Sequence, residues 1–418
     1  MNATKNQSYV FAFALVTCLF FLWGFAHNLD PILIPHLKRS FTLTTTQSTL
    51  IDSSVFIAYF VMALPAGFIM KKFGYKIGII TGLLLFAIGS LMFLPAADNQ
   101  SYNYFLIALF VIACGLTILE TAANPYAAAL GDPATSTQRL NFAQSFNGLA
   151  AALAPVIGAR IILTKGHTDA ELSTMTEAAR KLALASEAAS VKTPYLVLGI
   201  VLIVVAVLFA ITHLPKMNTD PAHTPSKNIF HAFRHKHLSW AVVAQFFYVG
   251  AQVSVFSLFI LYAEKSAGLT QVTAADYLGA CGIAFLIGRF LGTLLMRYIA
   301  PQKLLALYAA ACALLSVVAI FATGMITVYA IIGICFFMSI MFPTIFSLGI
   351  KDLKADTEYG SSLIIMSIVG GAVLPRFFGN ISDATGNIQH GYIVPVICFV
   401  VIMLFGITGY KVVNAENK

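Results

Sequence analysis

The sequence predicts an all-α membrane protein of twelve transmembrane helices, arranged as two pseudo-symmetric six-helix bundles. Three observations carry that prediction. Of 418 residues, 59% are hydrophobic and 10% charged, whereas a soluble protein of this size carries about 25% charge. Apolar runs of about 20 residues, the length a hydrocarbon core demands of a helix, recur from end to end. One long polar segment near the middle divides them six and six.

The first run, 9–36, begins close to Met1, but it is too long for a secretory leader and lacks a basic n-region and a small-residue cleavage site. It is expected to remain as a helix. The second, 45–69, leads into "GFIMKKFGYK", and the third covers 77–95. The fourth, 104–130, holds "LETAANPY", and the fifth, 140–163, is interrupted by amides. A loop of helix-forming composition from Lys165 to Thr193 precedes the sixth, 194–214. Spans seven to twelve fall at 239–263, 274–297, 304–322, 327–350, 360–381 and 392–412. The division is therefore an N-terminal bundle (1–215), a linker (216–237) and a C-terminal bundle (238–418).

Orientation follows from basic residues in the connections. Lys5, Lys71, Lys72, Lys76, Arg139, Lys216, Lys227, Arg234, Lys236, Arg297, Lys303, Lys351, Lys354, Lys411 and Lys418 fall on the side of the termini. The other side holds Lys38, Arg39, Lys165, Arg180, Lys181, Lys192 and Lys265. This asymmetry predicts cytoplasmic termini, and it accounts for most of the net +8. A nucleic-acid partner would need a basic patch on a soluble face, which the chain lacks.

Cys18, Cys114, Cys281, Cys312, Cys335 and Cys398 all lie within predicted spans without ligand spacing, as packing residues do. In the linker, His231, His235 and His237 have no neighbouring carboxylate or cysteine in sequence and are read as part of a solvated juxtamembrane helix, not a metal site. No Walker A sequence, GxSxG elbow or HExxH motif occurs. The expectation is a protein that is not an enzyme and needs no metal or cofactor.

The halves repeat one another. "NPYAAALGD" places Gly131 six residues after Pro125, and "FPTIFSLGI" places Gly349 six after Pro343. Each leads through a short polar loop to a small-residue span with a late proline, Pro155 or Pro375. Parallel six-helix repeats around a central cavity are the arrangement of the major facilitator fold.

Ionisable groups inside a bilayer cost about 2.5 to 3.5 kcal/mol each on insertion scales, so they face cavities or partners. Here they are Asp30, Asp52, Glu120, Arg160, Arg289 and Arg376, with His27 nearby. Glu120 sits near the middle of span four with Asn124 one turn on, and no cation lies near it on that helix. Burial without a cation disfavours the charged form, which suits a group that takes up and releases a proton. Pairing with Arg160 or Arg289 is the structural alternative. Asp30 and Asp52 both lie roughly 10 Å below the outer surface at 1.5 Å per residue. Trp23, His27 and Asp30 share one helical stripe, and Pro31 disturbs the backbone behind them, as in the wall of a hydrated pocket. Capping of a frayed helix end is the plainer reading of Asp30.

Asn141, Gln144 and Asn147 in span five, and Gln245, Tyr248 and Gln252 in span seven, recur at three- and four-residue spacing. Such faces serve as interhelical glue, or, with Trp23 as a flat apolar surface, as a seat for a polyhydroxylated ligand.

Several stretches together resemble the fucose:proton symporter family of sugar permeases. They are "FFLWGFAHNLDPILIPHLK", "LETAANPY", "RLNFAQSFNGLAA", "WAVVAQFFYVGAQ", "IGRFLGTLL", "PTIFSLGIKDL" and "YGSSLIIMSIVGGA". The resemblance spans nearly the whole chain. It implies an inner-membrane permease in which a span-four glutamate, here Glu120, and a span-one aspartate exchange protons, while Asn28, Gln144 and Tyr359 lie near the sugar. The family's N-L-N-D pattern in span one is N-L-D-P here. Pro31 takes the family's aspartate position and Asp30 stands one residue, about 100° of helix, away. Asp52 is the competing site. Lys71 also stands where an aspartate is expected in the loop after span two.

The expected function is proton-coupled import of a hexose or 6-deoxyhexose by a monomer in the bilayer. A proton-independent uniporter, a drug exporter and a membrane sugar sensor are the rival readings.

Overall fold

The computed structural model describes residues 2–28, 41, 45–158, 174–215 and 229–412. At some of these, Asp52 included, only the backbone is described. The N-terminal half contains α1 (Asn2–His27), α2 (Thr45–Phe73), α3 (Tyr75–Asp98), α4 (Tyr102–Ala129), α5 (Ser136–Gly158), a short α6 (Glu177–Ala189) and α7 (Lys192–Ile211). The C-terminal half contains α8 (Lys236–Ser257), α9 (Phe259–Ala267), α10 (Gln271–Leu295), α11 (Pro301–Phe321), α12 (Met325–Met338), α13 (Met341–Gly349), α14 (Thr357–Met366), α15 (Gly370–Thr385) and α16 (Ile393–Leu404).

Among the described residues, eleven helical segments are long and apolar enough to cross a membrane. The twelfth span is α5, 23 residues long and diluted by Asn141, Gln144 and Asn147. It tolerates those amides because it lies between α1 and α10 and is not sheathed in lipid. Lipid-facing apolar side chains such as Phe60, Phe68, Ile200 and Leu314 are correspondingly exposed.

Three spans that read as continuous in sequence are broken. Span seven divides between α8 and α9 at Leu258, span ten at Ser339 and Ile340, and span eleven through a tight turn at Ser367–Val369. Such breaks free backbone groups that need partners inside a bilayer. The Ser339 carbonyl finds one in Arg289. The two repeated glycines also differ in purpose. Gly131 adopts φ 121° after α4, where a side chain would be strained. Gly349 is helical, and a Cβ there would stand 2.5 Å from that of Ala241.

Across the bundle boundary α2 packs on α14, and α5 packs on α10 and α13. Counted as spans these are two with eleven, five with eight and five with ten, the first two of which exchange under the internal repeat. Among the described residues, the hydrogen bonds joining the bundles lie in the half nearest the termini. Thr137 bonds Ser347 (2.8 Å), Asn141 donates to Thr344 Oγ1 (3.1 Å) and Gln138 to the Thr293 carbonyl (3.3 Å). On the same side Lys71 lies 4.2 Å over the Tyr359 ring. Gly67 meets α14 so closely that a Cβ would fall 2.2 Å from Ser362 Oγ. The molecule is thus closed on the side of its termini.

The linker histidines differ: His231 is exposed, as a solvated helix requires, whereas His235 is half-buried and His237 buried. Asp356, far away in sequence, accepts from His231 Nδ1 (3.0 Å) and His235 Nε2 (3.2 Å), and His237 is buried against the Lys351 carbonyl. Sequence proximity could not show this carboxylate. At the other end of the linker, Lys76 donates to the Ala210 and Thr212 carbonyls and Tyr126 to that of Pro215. The six cysteines are free, and all but Cys18 are buried.

Candidate functional site

The polar centre is built on the buried face of α4. Glu120 is 7% exposed and accepts a hydrogen bond from the Tyr59 hydroxyl of α2 at 2.5 Å. The Asn124 amide donates to the Glu120 carbonyl (2.8 Å), and its Oδ1 accepts from Gln144 Nε2 of α5 (2.9 Å). The Gln144 carbonyl accepts from Arg289 Nη1 at 2.8 Å. A polar chain, linked at Glu120 and at Gln144 through their backbone carbonyls, therefore runs from α2 by way of Asn124 to Arg289 in the opposite bundle.

This decides one of the two pairings left open by the sequence, that with Arg289. Among the described residues no cation pairs with Glu120. The Arg289 guanidinium, 3% exposed, bonds the Gln144 and Ser339 carbonyls and lies 4.6 Å over Phe285. Arg160 falls outside the described residues. Carbonyl dipoles and an aromatic face can hold a buried guanidinium. Glu120 is left facing a neutral hydroxyl.

Asn141 and Asn147 extend the amide face of α5. Asn141 reaches Thr344 in the opposite bundle, and its buried Oδ1 has no partner among the described atoms. Asn147 lies half-buried against α1, where Gly24 makes room for it: a Cβ there would be 2.6 Å from Asn147 Nδ2. Trp23, one residue before that glycine, is buried beside Phe20, with ring centroids 4.4 Å apart.

His27 lines an apolar pocket with Val55, Leu109, Ala113, Leu116 and Tyr195. Val55 is one helical turn from Tyr59, and Leu116 one turn from Glu120. The pocket therefore lies immediately above the Tyr59–Glu120 pair on the side away from the termini. Asn28 folds back, its Nδ2 donating to the Gly24 carbonyl (2.7 Å). Asp30 lies outside the described residues, and Asp52 is placed on α2 by its backbone alone.

The C-terminal candidates occupy a different setting. Gln245 is fully buried with neither amide atom bonded, and the Tyr248 hydroxyl is likewise buried and unpartnered among the described residues. The Tyr248 ring stands edge-on to Phe342 at 6.2 Å. Gln252 is half-buried. Tyr359 lies at the closed end of the molecule, beneath Lys71. Tyr59, Thr344 and Ser347 were not singled out as site partners by sequence, and Arg289 was read only as a counter-ion for Glu120. A buried polar spacing could have flagged Thr344 and Ser347, but nothing distinguishes Tyr59 from other membrane tyrosines.

A polar chain at the centre of two six-span bundles, closed at one end, defines a secondary transporter. The chain belongs to the Major Facilitator Superfamily, whose family model matches residues 12–375. It is 43% identical to the L-fucose-proton symporter of Escherichia coli (strain K12), over 97% of this chain and 94% of the relative. It is 40% identical to a glucose/galactose transporter of Brucella abortus biovar 1 (strain 9-941), over 98% and 97%. Among solved structures it matches a Major Facilitator Superfamily transporter, FucP, in the outward conformation. There the TM-score is 0.90 and the identity 42%, covering 96% of this chain and 99% of that one.

Proposed function

We propose that this protein is a proton-coupled symporter that imports a hexose or 6-deoxyhexose, of the L-fucose, glucose or galactose type. It acts as a monomer in the bacterial inner membrane with both termini in the cytoplasm. The observation that carries the reading is Glu120, a buried carboxylate whose side-chain partner among the described residues is the neutral Tyr59 hydroxyl, one turn from the Asn124–Gln144 amide pair. A structural glutamate would be neutralised by a cation. One held by a hydroxyl can lose and regain its proton in place.

In this reading the closed side is cytoplasmic and the conformation faces outward. A proton enters by way of Asp30 or Asp52, with His27 above the Glu120 pocket, and neutralises the cavity. The sugar is seated by Trp23, Asn28 and the amides of Asn124, Asn141, Gln144 and Asn147. The Gln245, Tyr248 and Gln252 side chains serve from the C-terminal half, while Tyr359, beneath Lys71 on the closed side, belongs to the gate and not to the sugar seat. Parting of α2 from α14 and of α5 from α10 then opens the cytoplasmic side. One proton crossing about 100 mV supplies about 2.3 kcal/mol, enough for roughly fiftyfold accumulation. Names of the relatives support the substrate class, and the excess of basic residues near the termini supports the orientation.

The test is counterflow in proteoliposomes against a panel of labelled sugars, followed by uptake of the preferred sugar under an imposed pH gradient. Counterflow together with gradient-driven accumulation is expected. Counterflow with no response to the gradient would make the protein a uniporter.

A further inference from the structure

Helix α14 carries Tyr359 and Ser362, the residues that meet Lys71 and Gly67 across the closed side. The chain reaches it through a turn that passes twice into left-handed backbone at residues other than glycine, Asp352 (φ 56°) and Lys354 (φ 49°). Such residues cost on the order of 1 to 3 kcal/mol each and persist only where their surroundings hold them. Here the linker does the holding. Asp356 Oδ2 accepts from His231 and His235, and His237 Nε2 bonds the Lys351 carbonyl at 2.8 Å. Asp356 is 5% exposed and its Oδ1 has no partner among the described atoms.

The two imidazoles on Asp356 are not equivalent. Arg234 Nη1 approaches His231 Nε2 at 3.3 Å, so that nitrogen accepts, and a second proton there would meet a guanidinium. His235 uses Nε2 on Asp356, with Nδ1 available to a proton. The other charged or titratable groups around the cluster are His237, whose ring is 5.8 Å from that of His235, Lys351 and Asp352 beside His237, and Glu358 near both Asp356 and Lys71. His235 is therefore the ring that can gain a charge facing a buried carboxylate. A charge-assisted bond is roughly twice as strong as a neutral one.

We propose that His235 and Asp356 form a pH sensor on the cytoplasmic face: acidification protonates His235, tightens its hold on the turn before α14, and slows opening toward the cytoplasm. Resting on the symport reading above, this is feedback, since imported protons restrain further import.

The test is sugar equilibrium exchange in oriented proteoliposomes, with external pH fixed and the pH on the cytoplasmic face stepped from about 8 to about 5.5, the range in which an imidazole changes charge. Exchange moves no net protons, so driving force does not enter. Wild-type exchange should fall about threefold across that range, while His235→Gln and Asp356→Asn stay flat. A flat wild type, or an equal fall in the variants, overturns the sensor. No exchange of any sugar would instead overturn the symport reading. Hydrogen exchange of amides 350–362 in the wild type, corrected for intrinsic rate, reads the sensor independently of sugar. Protection should rise at acidic pH, and unchanged protection overturns the proposal.

Discussion

The Tyr59 hydroxyl lies 2.5 Å from a Glu120 carboxylate oxygen, joining the second span to the fourth at the head of a polar chain that ends in the other bundle. Around this contact the transport cycle can be tested.

Glu120→Gln is predicted to abolish proton-driven accumulation while sparing sugar counterflow, because an amide keeps the hydrogen-bonding shape but cannot titrate. Uptake under an imposed pH gradient is measured beside counterflow without one. Undiminished accumulation would remove Glu120 from proton coupling.

Tyr59→Phe strands the carboxylate. Hydrogen bonds to charged groups contribute about 1.5 to 3 kcal/mol, so Tyr59→Phe should lower thermal stability by that order. Added to Glu120→Gln, the same change should cost less, a coupling that a double-mutant cycle reads directly. Additive effects would show that Tyr59 bonds the carboxylate no more strongly than the amide that replaces it.

Gln144→Ala and Gln245→Ala should each weaken sugar binding by about 1 kcal/mol, roughly fivefold, or more where a partner is stranded. Expression should remain normal. For Gln245 the expectation rests on an amide buried with both atoms unbonded, which a sugar hydroxyl or an ordered water would satisfy. Unchanged affinity in both variants would put the sugar elsewhere.

Gly67→Ala pushes a methyl group into Ser362 and should shift the protein away from the state closed on the side of its termini. Ser362→Gly, which removes the nearest obstructing atom and leaves the Glu358 carbonyl at 3.1 Å, should largely restore it. Labelling of a cysteine placed on that face reads the shift. A variant labelled no faster than wild type would show that α2 and α14 accommodate the methyl group without parting.

Asp30→Asn should remove the pH dependence of external sugar binding, with Asp52→Asn having little effect. If Pro31 has displaced the role onto span two, the phenotypes exchange. Retention of pH dependence in the double variant would show that neither aspartate gates proton entry.

The sequence by itself determined the all-helical membrane fold and pointed to the polar residues proposed here for the site. Glu120, Asn124 and Gln144 were legible because a carboxylate or amide inside a bilayer is costly enough to need a reason, and because one-turn spacing puts two of them on one face. Only the tertiary structure decided their partners. Tyrosine is ordinary in membrane helices, so nothing in "IAYFVMA" marks Tyr59 as the donor to a residue 61 positions away. Arg289 reads in sequence as a counter-ion for Glu120, yet the break in span ten exposes the Ser339 carbonyl and takes the guanidinium instead. Likewise the linker histidines find their carboxylate only when spans seven and eleven are side by side. Local spacing fixes which residues share a helix face, whereas contacts between helices depend on how the bundles close.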